Sequence, residues 1–304
     1  MGERLSTFRW LLAGTVVLVL FGLVFFRFSQ DPTERLTLQA KKVELVAHMH
    51  RNLESASEAE KRAVLAITDK DSQTYADEAR AASATVEQER RELEAVLQAG
   101  KSQKEKDLLG QFSRAFSEYQ RVDKEVLALA VKNTNLKAAS LAFGPAAEAL
   151  KEMDTALSHI VTESASSSSS QAKRVMLLAS GAQAAALRIQ GLLPPHIAEE
   201  SDKKMDEFEA LMAKEDQDVR RDLEALTALQ REGADLQTAK SRYARFSEIR
   251  IQILALSREN TNVRSLSLSL NQKRQVTLRC EEALTALEKA FHDDPNTYAP
   301  VKPR

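Results

Sequence analysis

The chain carries the same pattern twice. Tyr119, Val122, Val126, Leu127, Ala128 and Leu129, then Asn133-Thr134-Asn135 and Leu136, return 127 residues later as Phe246, Ile249, Ile253, Leu254, Ala255 and Leu256, then Asn260-Thr261-Asn262 and Val263. A second match, offset by 130, pairs Arg90-Arg91-Glu92-Leu93-Glu94-Ala95 with Arg220-Arg221-Asp222-Leu223-Glu224-Ala225. A period of this length is one whole domain rather than a solenoid unit. Whatever the fold is, it is built twice.

The residues available limit that fold to helices. Ala, Leu, Glu, Lys, Arg and Gln dominate, and these are the good helix formers. Strands need β-branched and aromatic residues and their turns need Gly; aromatics are 5% of the chain and there are only 9 Gly. Each copy reads as four helices. In the first they cover about 32–67, 72–99, 102–132 and 135–164, broken at Thr68–Ser72, Ala99–Ser102 and the Asn-Thr-Asn turn. In the second they cover about 171–190, 199–231, 235–259 and 262–292, broken at Gly191–Pro195, Glu232–Asp235 and the second Asn-Thr-Asn. Asn suits the left-handed conformation and, with Thr, caps a following helix, so both turns read as structural punctuation rather than ligand contacts.

The fourth helices have the clearest stripes. Leu136, Ala139, Phe143, Ala146, Leu150, Met153, Leu157 and Ile160 step by fours and threes, as do Val263, Leu266, Leu270, Lys273, Thr277, Cys280, Leu284, Leu287 and Phe291. An apolar period of 3.5 residues predicts near-parallel knobs-into-holes packing. The second stripe is interrupted at Lys273 and Thr277, so copy two is expected to pack less tightly at mid-height. Between the copies, 165–170 is Ser-rich and reads either as a flexible linker or as a frayed helical bridge. If each fourth helix returns along its own first helix, the chain must reverse sharply at the serines. The expectation is all-α: an N-terminal transmembrane helix, then two tandem antiparallel four-helix bundles, 32–164 and 171–292, side by side.

The transmembrane helix is expected at 10–26, behind a short tail, 1–9. These 17 residues carry no charge and lie between Arg9 and Arg27. At ~1.5 Å per residue they span a hydrocarbon core if the flanking arginines snorkel. Trp10 stands at an interface position. No small-x-small cleavage site follows, which favours an uncleaved anchor over a signal peptide. Arg27, Arg35, Lys41 and Lys42 against Arg4 and Arg9 lean towards a cytoplasmic body. Residues 293–304 read as a flexible tail.

Charge narrows the function classes. Lysine plus arginine total 43 and aspartate plus glutamate 44, which gives no case for nucleic-acid binding. From Leu236 to Cys280 nine bases face only Glu248 and Glu259, a net +7; from Glu199 to Asp235 thirteen acids face six bases, a net -7. Adjacent helices neutralise each other, or a basic face with Arg242, Arg245, Lys273 and Arg274 meets anionic lipid, a carboxylate ligand or an acidic partner. No zincin, nucleophile-elbow, phosphate-loop or CxxC pattern occurs. His48 and His50, two apart on a helix, do not share a face, and His159, His196 and His292 are isolated in sequence. The lone cysteine, Cys280, excludes an intrachain disulfide and a Cys-based metal cluster; its stripe position suits a small buried hydrophobe. No enzyme activity, cofactor or metal is expected.

The stretch Phe116 to Val161 resembles the four-helix-bundle sensor domain of methyl-accepting chemotaxis proteins. The resemblance rests on Val126-Leu127-Ala128-Leu129-Ala130, the Asn-rich turn, Gly144-Pro145-Ala146-Ala147-Glu148-Ala149-Leu150 and Leu157-Ser158-His159-Ile160-Val161, with an N-terminal anchor leading into a long first helix. With the repeat it covers about 1–292. It implies a bacterial inner-membrane location, a periplasmic body (against the positive-charge count), a small-molecule ligand and pairing of bundles, here as a pseudo-dimer within one chain or as a homodimer. The second span, HAMP module and signalling hairpin of such receptors have no counterpart in the sequence. Two functions therefore compete: a sensory or adaptor module acting through a protein partner, and a tethered scaffold that binds, bends or positions membrane through its basic face.

Overall fold

The computed structural model describes residues 32–100, 102–229 and 233–293. The expected membrane helix at 10–26, the tail before it and the residues after 293 lie outside that range. Every regular element among the described residues is helical. Helix α1 is Pro32–Leu65, α2 Asp69–Ala99 and α3 Gln103–Ala130. The fourth helix of copy one is α4, Thr134–Leu141, a π-helical turn π1, Ala142–Ala146, and α5, Ala147–Ala165. Copy two follows with α6 Ser170–Ala198, α7 Asp202–Leu229, α8 Ala234–Glu259, α9 Thr261–Leu268, a second π-helical turn π2 Ser269–Lys273, and α10 Arg274–His292.

Local chemistry accounts for most ends. Pro32 opens α1, where its missing N–H costs nothing. The Thr68 hydroxyl caps α2 by accepting from the Asp71 N–H at 3.0 Å, and Asp69 and Asp71 complement the helix dipole. The serine run is a tight reversal: Ser166 closes α5, and Ser169 caps α6 by accepting from Ala172 N–H at 3.1 Å. Beyond it α5 and α6 lie antiparallel, tied by Gln183, which donates to Asp154 and Ser158.

Two expectations about helices need correction. α6 does not break at Gly191–Pro195 but runs through Pro194 and Pro195 to Ala198. Burial of Leu193, His196 and Ile197 holds this last stretch in the core against the lost proline hydrogen bonds. The stripes on the fourth helices also shift. Below each π turn the forecast positions are buried: Leu150, Met153, Leu157 and Ile160 in copy one, and Cys280, Leu284, Leu287 and Phe291 in copy two. Above it the frame slips by one. Ala138 and Ala142 are buried while Phe143 is exposed, and Ser265 and Ser269 are buried while Leu266 and Leu270 are exposed. An extra residue in a π turn rotates the upstream segment by about 100°.

The chain divides into two compact units. Among the described residues, one comprises those up to Ser57, those of Arg80–Tyr119 and those from Val276 onward; the other comprises Glu58–Ala79 and those of Gln120–Gln275. In the first, the described core joins Leu45, Met49 and Leu53 of α1, Val86, Leu93 and Leu97 of α2, Phe112, Phe116 and Tyr119 of α3, and Val276, Cys280, Leu284 and Phe291 of α10. Phe112, Phe116 and Tyr119 stack in sequence, with centroids 5.4 and 5.6 Å apart. Lys42 is buried here against Glu105 at 2.7 Å.

In the second unit the main core joins Ala146, Leu150, Met153 and Leu157 of π1 and α5 with Val175, Ile189 and Leu193 of α6, Val219 and Leu226 of α7, and Tyr243, Phe246 and Ile253 of α8. Each four-helix core therefore takes three helices from one copy and the fourth from the other. The ranges 32–164 and 171–292 do not delimit the cores. Within the second unit Gly181 of α6 gives room to α7: a Cβ there would lie 2.5 Å from Asp222 Oδ2. α6 is also long and apolar enough to cross a membrane, and its apolar residues Val175, Ala179, Ala182, Ile189 and Leu193 line this core.

Candidate functional site

The two Asn-Thr-Asn turns meet in the second unit. Asn133 and Asn260 have matching left-handed backbones, φ 52° and 53°, a conformation Asn tolerates better than most residues. As helix starters these turns leave free N–H groups, and neither Asn133 nor Asn260 caps its own helix through its side chain. Each turn caps the other. Thr134 N–H donates to Thr261 Oγ1 at 3.2 Å, and Thr261 N–H donates to Thr134 Oγ1 at 3.1 Å. Asn135 N–H donates to Asn262 Oδ1 at 3.2 Å, and Asn262 N–H to Asn135 Oδ1 at 3.1 Å. Asn135 Nδ2 reaches Asn260 Oδ1 at 2.7 Å, and Asn262 Nδ2 reaches Asn133 Oδ1 at 3.0 Å. Every bond has its counterpart with the copies exchanged, which is the pattern of an isologous two-fold contact inside one chain. The end of α6 is drawn in: Ile197 O accepts from Asn135 Nδ2 at 2.6 Å and Glu199 O from Asn260 Nδ2 at 2.8 Å. The sequence marked these turns as caps; what it concealed is that the caps act between copies.

Further along the helix that starts at the second turn, Lys273 at the end of π2 belongs to a buried charged cluster. Lys273, 1% exposed, forms an ion pair and hydrogen bond with Asp123 of α3 and lies 3.9 Å from Glu60 of α1. All three side chains are buried, and Ser269 of π2 is a further polar neighbour of Glu60. Burial holds the Glu60 carboxyl above the usual carboxylate range, against the charge of Lys273.

The four basic residues put forward as lipid or partner contacts separate. Lys273 is withdrawn from that role: its ammonium lies in the core, where its stripe position put it. Arg242 is ion-paired with Glu152 of α5, and Arg245 pairs with Glu248 of its own helix at 3.2 Å. Arg274 is exposed. Elsewhere the basic α8 meets the acidic α7. Arg258 pairs with Asp206 and, at 2.7 Å, with Glu209; Arg250 pairs with Asp216 at 2.9 Å. Asp216 also accepts from Tyr243 at 2.5 Å. Burial pushes the Asp216 carboxyl up, but the hydrogen bonds from Arg220 and Tyr243 and the charge of Arg250 outweigh it, and it lies below the usual range. The hydrogen bond from Arg258 likewise lowers Glu209.

One histidine that sequence spacing left isolated is central here. His196, fully buried, has Nδ1 2.8 Å from Ser257 Oγ and Nε2 2.9 Å from Glu209 Oε1. The order serine, histidine, glutamate resembles a hydrolytic triad. However, Ser257 is itself fully buried on α8 and donates to the His196 carbonyl at 3.0 Å, so its hydroxyl is already engaged and sealed from substrate. The group ties the end of α6 to α8. His48 and His159 lie near Glu89, at 3.6 Å, and Asp235, at 3.7 Å.

The family described as a four helix bundle sensory module for signal transduction matches residues 12–175. No curated protein matches the chain.

Proposed function

Because the chain belongs to the four-helix-bundle sensory modules of signal transduction, we propose that it is a membrane-anchored sensory or adaptor module, with residues 10–26 as its anchor and the body on the periplasmic side. The observation that carries the reading is the reciprocal Asn-Thr-Asn seam. The resemblance implies that such sensors act as pairs; here the two copies of the repeat make a two-fold contact with each other inside the second unit of one chain. The module on this reading is a pseudo-dimer, which binds a small molecule between helices and passes its state to a protein partner. Non-catalytic action is in keeping with the family.

Two measurements test this. The mass of the detergent-solubilised full chain should be that of one copy. A broad metabolite panel should yield a saturable ligand that raises the melting temperature. A stable homodimer would remove the pseudo-dimer, and a panel without any shift would count against the sensor. The scaffold reading keeps Arg242, Arg245 and Arg274 as lipid contacts but loses Lys273. It requires salt-sensitive binding to anionic liposomes that charge reversal at those three arginines abolishes.

A further inference from the structure

The buried cluster contains two carboxyl groups and one ammonium. Asp123 takes the direct contact with Lys273. Glu60 is left with the Lys273 ammonium at 3.9 Å and the Ser269 side chain as its polar neighbours. The helices that carry the cluster also form an apolar core, Val64 of α1 with Val122, Val126 and Ala130 of α3 and Leu268 of α9 packed against them, and Glu60 itself is fully buried. A carboxylate in such a place is strongly disfavoured unless fully paired. With Lys273 and Asp123 both charged, the cluster is neutral only if Glu60 holds a proton.

We propose that Glu60 is a proton switch built into the second unit. Protonated, it leaves the cluster neutral and π2 packed against α1 and α3. When its carboxyl releases the proton to solvent, an uncompensated negative charge appears beside Asp123, and the packing of residues 261–275 loosens. The groups that act on Glu60 are Lys273 and Ser269 from π2, Asp123 from α3, and Lys61 on its own helix. Lys273, Ser269 and Lys61 favour the ionised form, and Asp123 opposes it; burial, the largest influence, wins and raises its pKa. The device does not depend on the sensory reading, since it would act in any protein with this core.

The sign follows from linkage. A carboxyl whose folded pKa is raised contributes stability that is complete below the ordinary glutamate range and is lost as pH rises through the raised value. The experiment is infrared difference spectroscopy of the full chain in lipid nanodiscs across pH, with thermal unfolding on the same samples. A carboxylic-acid C=O band should persist well above the ordinary glutamate range and then titrate. It should be absent from E60Q, whose melting temperature should not fall over that pH interval. In D123N, removal of the neighbouring negative charge should move the titration to lower pH. Loss of the proton within the ordinary glutamate range, survival of the band in E60Q, or an unmoved titration in D123N would each overturn the proposal. The wild-type and D123N spectra decide the matter even if E60Q does not fold.

Discussion

The two π turns occupy equivalent places in the repeats yet are made of different residues. Ala142–Ala146 reads Ala-Phe-Gly-Pro-Ala, and Ser269–Lys273, 127 residues on, reads Ser-Leu-Asn-Gln-Lys. Proline lacks the N–H that an α-helix needs, so Pro145 alone would account for the first turn. Gln272 stands in its place in the second, and the turn forms all the same. Equivalent positions also share their surroundings: Ala142 and Ser269 are buried, Phe143 and Leu270 exposed, Ala146 and Lys273 buried. The π turn is therefore set by the fold, by a helix whose start is pinned at the seam and whose far end must keep the heptad frame of its core. The side chain at the last position is free to differ. Copy one fills it with a methyl group and copy two with a charge.

The largest test of that contrast is Lys273→Ala. It leaves the buried Asp123 carboxylate without its counter-charge, and loss of one member of a buried ion pair costs about 3–5 kcal/mol. Combining it with Glu60→Gln and Asp123→Asn should recover most of the loss, read as denaturant midpoints at fixed slope. An Ala substitution no worse than ~1 kcal/mol would mean that the cluster relaxes or admits water and that the two turns differ less than their side chains imply. At the seam, by contrast, the copies should behave alike. Asn135→Ala and Asn262→Ala each remove a cap from the opposite helix and leave buried groups unsatisfied, at about 1–3 kcal/mol for each such group. Each side chain accepts from the other residue's N–H, so the two sites are in direct contact and the double variant should cost clearly less than the sum. Additive effects would show that the seam is not a shared unit.

Acid separates a second pair of sites. Glu60 stabilises when protonated; Asp216 and Glu209, held below the usual range by their arginines, stabilise when ionised. Their contribution is present above the ordinary carboxylate pKa of about 4 and is lost as pH falls through their lowered values. Stability should fall on the acid side as well as the alkaline side. Asp216→Asn should flatten the acid limb and leave the alkaline limb, while Glu60→Gln should do the reverse. Any cross-over between the limbs would break the assignment.

How much of this could be read in the sequence depends on range. Composition and the repeat were enough for an all-α duplicated fold; the breaks at Thr68 and Ser169 follow from side chains that cap their own helices, and those at the Asn-Thr-Asn turns from the left-handed backbone that Asn tolerates. The exchange of fourth helices could not be read. Heptad stripes in the two copies are interchangeable, so periodicity states that a helix is buried but not among which partners. The π turns were hidden for a similar reason: a constant 3.5-residue step predicts Leu266 and Leu270 inside, and only packing shows that Ser265 and Ser269 take those places. His196 and Glu60 were missed because each finds its partners far along the chain. Lys273 was legible twice, as a stripe position and as one of nine bases. The stripe was the better guide, because a periodic position constrains direction and a count of charges does not.

The smallest expected effect is the most discriminating for the opening contrast. In an ordinary helix interior, replacing proline by alanine stabilises by about 3 kcal/mol, since the ring removes one hydrogen bond and clashes with the preceding turn. If the fold rather than Pro145 sets π1, the turn already accommodates that defect, and Pro145→Ala should gain less than ~1 kcal/mol. The side chains would not move: Phe143 would remain 68% exposed, and a cysteine placed there by Phe143→Cys would label as fast with Ala at 145 as with Pro, with buried Cys280 replaced by Ser to keep the signal clean. If Pro145 causes the turn, its removal restores an α-helix and rotates residues 134–141 by about 100° relative to α5. Leu136, Ala139 and Phe143 would then swing towards the core, Ala138 and Ala142 away from it, and the label at 143 would become protected. Protection would also misalign Thr134 and Asn135 with their partners at 261 and 262, so it should appear together with a loss of stability. A protected label without that loss would show that the seam and the π turn are independent, and that the matching turns in the two copies have separate causes.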